Sequence, residues 1–152
     1  MSESNTSMSL TRRILGEHPN AADRRPFSRG VSVDIGTATL IFVSGIASVD
    51  DNGEVVHAGD VRAQTHQIFK RMRHLLVQDD ATLADVVKLV VFLKNIADYD
   101  AMNEVRAQYF RNSPPASSAV QTQMIRPEFL VEIEAIAIRQ SVRPAYYGGD
   151  LR

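Results

Sequence analysis

Two short runs lie between residues 31 and 43: the first alternates between apolar and polar residues, and the second is wholly apolar. In residues 31–35 (VSVDI) every second side chain is apolar, which is the period of a strand with one buried face. A Gly-Thr-Ala turn and the apolar run LIFV follow. The pattern predicts a β-hairpin over residues 31–43, ended by Ser44 and Gly45. The acidic run at 50–53 (DDNG) predicts a tight turn, since it lacks the twelve-residue spacing of an EF-hand calcium loop.

Helical periodicity replaces alternation after Asp60. Apolar residues between 61 and 78 recur at steps of three, four and seven, the pattern of an amphipathic helix, and Asp60 is a suitable N-cap. A second helix is predicted from its N-cap Asp98 to the helix-breaking sequence NSPP at 112–115. Between the helices, residues 86–93 form a nearly continuous β-branched run, which is typical of a central strand.

Two further strands are predicted at 117–123 and 130–139. The order of elements is then strand, strand, helix, strand, helix, strand, strand, which indicates the α+β class. One mixed sheet with two helices on one face buries every apolar stripe. The other sheet face stays apolar and uncovered, which favours an oligomer. We expect residues 1–25 to be a flexible N-terminal lead-in, 26–140 the domain and 141–152 a polar tail.

Composition narrows the class of protein without changing this picture. The chain has 152 residues, 44% of them apolar and 23% charged, which suits one globular domain. Its net charge of −1 gives no general attraction to nucleic acid or anionic membrane, so neither is an expected partner. No apolar stretch reaches the ~20 residues of a membrane helix, and the N-terminus lacks the apolar core of a secretory signal. Together with the absence of Cys, these features fit a cytoplasmic protein, which is the expected location.

Several common catalytic groups are missing from the sequence. Without Cys there is no thiolate nucleophile, and the four His show no metal-ligand spacing. There is no phosphate-binding Gly loop, dinucleotide fingerprint or Ser-His-Asp order. We therefore expect a protein that uses no cofactor and no metal.

Several segments along the chain form a recognisable set: FVSG at 42–45, the strand 86–93 followed by Lys94 and Asn95, the helix containing Asn103, Pro115-Ala116, and VEIEAIA at 131–137. Taken together, they resemble the reactive-intermediate deaminase (Rid, or YjgF-like) superfamily, and the resemblance runs from about Pro26 to Arg139. It implies a chorismate mutase-like fold with one mixed six-stranded sheet. It also implies a homotrimer with ligand clefts between subunits.

The resemblance implies a reaction and some of its residues. Family deaminases hydrolyse imines and enamines to a keto acid and ammonia, without a cofactor. Their water-positioning glutamate falls at Glu132, and the aromatic residue of their first strand falls at Phe27, where Tyr is usual. Their backbone contacts to ligand fall near Gly45 and Ala119.

The chain departs from the family at the substrate carboxylate anchor. Family deaminases carry an Arg just after the Pro-Ala step, where this chain has Ser117 followed by Ser118. The two hydroxyls can hydrogen-bond a ligand but carry no charge, so weak turnover of 2-aminoacrylate-type substrates is expected. Arg29 lies two residues after Phe27, so in a strand both side chains point to the same face and Arg29 is expected to enter the cleft beside Phe27. There it could replace the missing arginine as a bidentate clamp for a carboxylate. The alternative is that Arg29 lies on the surface of an edge strand. Arg126, beside a proline turn, is a weaker candidate that we expect to face solvent.

The carboxyl group of Glu132 is the candidate catalytic group. Glu132 and Glu134 share one strand face, about 7 Å apart. In a dry cleft, burial would raise the pKa of Glu132 and make it a proton donor to the imine nitrogen. The alternative is that both carboxylates are solvated on an outward face. A glycosidase pair is excluded because two acids on one strand cannot flank a sugar ring.

Three functions are therefore open. The first is hydrolysis of a small imine, enamine or related carbonyl compound at an intersubunit cleft. The second is a non-catalytic trimer that binds small acids. The third, from the shared fold, is hydrolytic processing of chorismate. RNA cleavage, linked to some relatives, is disfavoured by the near-neutral charge.

Overall fold

The computed structural model describes residues 10–16 and 26–140 and contains one six-stranded sheet and two long helices. The sheet order is β1-β2-β3-β6-β4-β5. All neighbouring strands are antiparallel except β4 and β5, which are parallel, so the predicted mixed six-stranded α+β sheet is confirmed. The elements are β1 (Thr11–Leu15), β2 (Gly30–Asp34), β3 (Ala38–Ala47), α1 (Val61–Leu76), β4 (Val86–Leu93), α2 (Tyr99–Phe110), β5 (Ala116–Gln121) and β6 (Val131–Gln140).

The predicted hairpin is β2 and β3, but β3 continues past its expected end. The strand passes through an irregularity between Val43 and Ile46, where its pairing with β6 shifts register. A bulge of this kind bends a strand without ending it. Ser44 and Gly45 therefore lie within β3 rather than after it, and this bend shapes the cavity described below.

The ends of the helices follow from local hydrogen bonds. Asp60 caps α1 as predicted, because its side chain accepts from the backbone N–H of Ala63 at 3.0 Å. Asp98 stands at the N-terminus of α2 but makes no side-chain cap bond. Asn95 instead caps a short 3₁₀ turn that leads into the helix, by accepting from the N–H of Ala97.

One sheet face packs on the helices and forms the core. Alternate residues of β4 and β6 are fully or almost fully buried there, together with Phe69 and Met72 of α1 and Met102 of α2. The strand residues concerned are Leu89, Val91, Leu93, Val131, Ile133, Ala135 and Ala137.

The other sheet face is apolar and not covered by helices. Phe42 of β3 keeps 43% of its surface exposed, and Ile138 of β6 keeps 41%. They lie on adjacent strands, since Phe42 pairs with Ile136 and Leu40 with Ile138. In the single chain, β4 is accordingly buried on one face only, with Val87 exposed.

The prediction of a flexible lead-in over residues 1–25 is wrong for Thr11–Leu15. These residues pair with β2 and form the edge strand β1. Leu15 is fully buried, and the Arg13 guanidinium binds the carboxylate of Asp79 at 2.7 Å. These two contacts hold the otherwise exposed strand β1 against the rest of the domain. Residues 1–9, 17–25 and the predicted tail 141–152 lie outside the described residues. Within the described ranges, no helix is long and apolar enough to cross a membrane.

Candidate functional site

A cavity of about 850 Å³ lies where the bend in β3 meets the start of β6 and the second half of α1. Four of the predicted site residues line it together: Phe27, Arg29, Gly45 and Glu132. Phe27 and Arg29 precede β2, which begins at Gly30, yet this segment already runs beside β3. The backbone N–H of Ser44 donates to the carbonyl of Arg29 at 3.0 Å, and the Ser44 hydroxyl donates to the carbonyl of Ser28 at 2.7 Å.

The carboxyl group of Glu132 lies directly over Gly45. A Cβ atom at Gly45 would overlap Glu132 Oε1 and crowd the carboxyl carbon. Only glycine therefore lets the glutamate side chain lie against the backbone of β3 at the bend. The position of the Glu132 carboxyl group therefore depends on the glycine, because any side chain at residue 45 would displace it.

The environment of Glu132 favours its protonated form. Burial is the larger cause that raises the pKa of the Glu132 carboxyl above its ordinary value, and the negative charge of Glu134 is the second. Glu134 lies two residues along β6 on the same face, as the period of the strand predicted. A half-buried carboxyl group with a raised pKa at a cavity wall is the arrangement expected of a general acid.

The same two causes give a testable pH dependence. We expect Glu134→Gln to lower the titration midpoint of Glu132 yet leave it above that of an ordinary glutamate, because burial remains. Carbon-13 NMR of the side-chain carboxyl measures this midpoint. Because the folded chain holds the proton more tightly than the unfolded chain, stability should fall as pH rises from the ordinary pKa through the raised one. A midpoint unchanged by Glu134→Gln, or one at the ordinary value in the parent chain, would contradict this description.

Three arginines also line the cavity and differ in what holds them. Arg71 donates to the carbonyls of Val49 and Asp50, at 2.8 and 3.1 Å. Arg126, expected to face solvent, does line the cavity and donates to the carbonyl of Gly53 at 3.0 Å. These two fix the 49–53 turn.

Arg29 is held by packing and not by polar contacts. Its side chain lies against Gly16, where a Cβ would approach the Arg29 stem to about 3 Å. Among the described residues its guanidinium makes no hydrogen bond or ion pair, which leaves its donors available to a ligand.

Ser117, Ser118 and Ala119 lie elsewhere in the single chain. They belong to β5, the sheet edge opposite β1, and do not line the cavity. Their side chains alternate between the two faces. Ser118 accepts from Lys88 Nζ at 3.1 Å, and Ser117 accepts from Arg106 at 2.7 Å. These three residues can reach a cavity of this kind only if a second copy of the chain supplies them.

The side chain of Asn103 on α2 contacts another side chain of the same helix. Its side-chain oxygen accepts two hydrogen bonds from the Arg106 guanidinium, from Nε at 3.1 Å and from Nη2 at 2.5 Å. In the described part of the chain, no three His, Asp or Glu side chains lie close enough together to hold a metal ion.

The fold and this site match a known protein family. Residues 18–139 match the endoribonuclease L-PSP family, the group that contains the YjgF and Rid proteins. The chain belongs to the YjgF/Rid family. This confirms the resemblance seen in the sequence and, with the sheet described above, the chorismate mutase-like fold.

Relatives of this Rid chain include a named deaminase. The chain is 40% identical over 98 residues to the 3-aminoacrylate deaminase RutC of Acinetobacter baylyi, and this alignment covers 64% of this chain and 78% of RutC. It is 37% identical over 116 residues to a RutC family protein of Pyrococcus abyssi, covering 76% and 87% of the two chains. A crystal structure of a YjgF/YER057c/UK114 family member from Mycobacterium tuberculosis superposes with a TM-score of 0.68 at 33% identity, covering 84% of this chain and 98% of that one.

Sequence reasoning missed two features of the site. Arg71 of α1 lines the cavity, and no motif in the sequence distinguishes it from the basic residues beside it. The contact of Arg106 with Asn103 was also missed; the three-residue spacing of the two on one helix was the available signal.

Proposed function

We propose that this chain is a cofactor-free hydrolase of a small imine or enamine that carries a carboxylate. The observation that carries the proposal is the carboxyl group of Glu132, with its raised pKa, at the wall of the cavity that also holds Arg29. Membership of the Rid family and the similarity to a protein named as a 3-aminoacrylate deaminase support the class of reaction.

The reaction needs one acid and one water molecule. An enamine first takes a proton on carbon and releases one N–H proton to solvent, which converts it to the imine. Protonated Glu132 donates its proton to the imine nitrogen, which makes the carbon more electrophilic. Water adds to that carbon and gives its own proton back to the Glu132 carboxylate. In the resulting carbinolamine, Glu132 donates its proton to the amine nitrogen, the C–N bond breaks to release ammonia, and the hydroxyl group returns a proton to the Glu132 carboxylate as its oxygen becomes the carbonyl oxygen of the product.

The proposal includes a homotrimer whose clefts lie between subunits. Its support is the apolar sheet face around Phe42 and Ile138 and the edge position of β5. In such an assembly, Glu132, Gly45, Phe27 and Arg29 would come from one copy. Ser117, Ser118 and the backbone of Ala119 would come from its neighbour.

Arg29 is proposed to bind the substrate carboxylate or another anionic group. Its planar fork can donate two parallel hydrogen bonds and stays charged at any cellular pH. We expect Arg29→Lys to raise KM for a carboxylate substrate by about 10-fold, because the charge is kept and the fork is lost. Steady-state kinetics measure this, and light scattering should show unchanged assembly. Equal KM values for both proteins would contradict the role of Arg29.

Ammonia release from a panel of imines and enamines generated in situ tests the function. Acceleration over the spontaneous rate for at least one substrate supports the hydrolase. Saturable binding of small acids with no acceleration for any substrate would point to a non-catalytic binding protein instead. Loss of the ultraviolet absorbance of chorismate, measured in parallel, would point to a chorismate-processing hydrolase.

A further inference from the structure

The side chain of Arg106 on α2 is held in one position at the outer edge of the sheet. Its guanidinium donates through Nε and Nη2 to Asn103 Oδ1, at 3.1 and 2.5 Å, and through Nη1 to Ser117 Oγ at 2.7 Å. Asn103 lies three residues earlier on the same helix, whereas Ser117 belongs to β5. Contacts to two different elements fix the plane of the guanidinium. Holding a long arginine side chain in one rotamer costs conformational entropy, and these hydrogen bonds offset that cost.

The partners that hold Arg106 are both uncharged. A side-chain amide and a hydroxyl fix its orientation but leave its positive charge uncompensated. The nearest carboxylate along the helix, Glu104, is bound to Arg62 instead. Within residues 10–16 and 26–140, Arg106 makes no ion pair, and three of its five N–H groups are used. One N–H on Nη1 and one on Nη2 remain for an acceptor.

Ser117 is also the position at which this chain lacks the arginine of family deaminases. A serine there is short enough to leave room for a guanidinium, and its hydroxyl accepts a hydrogen bond from Arg106. A positive charge therefore reaches residue 117 from the neighbouring helix although the strand itself no longer carries one. We propose that Arg106, positioned by Asn103 and Ser117, binds the carboxylate of the substrate at the β5 side of the cleft.

This inference rests on the proposed function, in which β5 of one copy borders the cavity of another. It changes the expectation for the substrate. Ser117 alone predicted weak turnover of 2-aminoacrylate-type compounds, whereas a cation fixed at Ser117 restores recognition of a 2-carboxylate. With Arg29 on the opposite wall, the cleft would present two separate cations to the ligand. It would therefore favour substrates that carry a second anionic or strongly polar group.

Ligand affinity tests the inference without requiring turnover. The probes are pyruvate, a keto acid of the product class, and pyruvamide, its uncharged analogue, each titrated into the protein and followed by NMR. We expect the parent chain to bind pyruvate about 10- to 100-fold more tightly than pyruvamide, and Arg106→Gln to lower that preference by about 10-fold, with any remainder due to Arg29. Asn103→Ala keeps the charge but releases its orientation, so it should remove part of the preference. Arg111→Gln, at an exposed arginine one residue beyond α2, is the matched control and should leave both affinities unchanged.

The outcomes separate this inference from the proposed function. Ammonia release that persists in Arg106→Gln, with the pyruvate preference intact, would overturn the role of Arg106 and leave the hydrolase standing. Loss of the preference in Arg106→Gln, in a parent chain that releases no ammonia from any imine, would support Arg106 as a carboxylate ligand and contradict the hydrolase. No preference for pyruvate in the parent chain would overturn the inference. Thermal melting and light scattering check that the variants are folded and assembled.

Discussion

Replacing Glu132 with Gln is expected to lower imine turnover by about 100-fold or more, which is the usual contribution of a positioned general acid. The amide keeps the size and hydrogen-bonding shape of the side chain over Gly45, but it cannot pass a proton to the imine nitrogen. The loss should fall on kcat, because the proposed cleft binds the substrate carboxylate through arginines and not through Glu132. Steady-state ammonia release measures both constants.

Two further variants test separately the proton of Glu132 and the position of its carboxyl group. Glu134→Gln removes a neighbouring carboxylate from the same strand face and should retain most of the activity. Gly45→Ala keeps both acids but places a methyl group where the Glu132 carboxyl lies, so it should lower turnover by displacing that carboxyl. Full activity in a folded Glu132→Gln protein would remove Glu132 from the mechanism, whatever the other two variants do.

Introducing charge on the open sheet face is expected to abolish assembly. Phe42→Glu with Ile138→Glu places two carboxylates at the centre of the apolar surface, where burial in an interface would cost several kcal/mol for each unpaired charge. The parent chain should elute as a trimer, and the double variant as a folded monomer. Activity should be lost with assembly, because the proposed cleft needs β5 from a second copy.

A substitution of the same kind away from this face serves as control. Val77, just after α1, is 60% exposed, so Val77→Glu changes the charge of an exposed apolar position without touching the open face. It should leave the trimer intact. Light scattering at micromolar concentration that gives a monomer for the parent chain, or a trimer for the double variant, would contradict the proposed interface.

Local patterns predicted most of the fold, and longer-range contacts account for the differences. The hairpin and the cap at Asp60 are set by residues close in sequence, so periodicity was sufficient to predict them. The strand Thr11–Leu15 was missed because only Leu15 of its side chains is buried, and its order comes from pairing with β2. The continuation of β3 was missed because a Ser-Gly pair has the composition of a strand end, whereas here it forms a bulge.

The candidate site was only partly within reach of sequence reasoning. The resemblance gave Phe27, Gly45 and Glu132, and strand period added Arg29; the four do line one cavity. The contact between Arg106 and Ser117 joins a helix to a strand through side chains eleven residues apart in sequence, and no periodicity describes it. The proposed role of β5 requires a second copy of the chain, and the sequence of one copy does not show where that second copy would lie.

Ammonia release from the panel of imines and enamines generated in situ is the most direct test of the central claim that the Glu132 cavity hydrolyses imines. For each substrate the rate is measured in buffer alone, with the parent chain and with Glu132→Gln at equal concentration. The account predicts that the parent chain accelerates release from at least one substrate well above the buffer rate and that the variant falls back close to it. Equal rates in all three samples for every substrate, with the parent protein folded and assembled, would contradict the account.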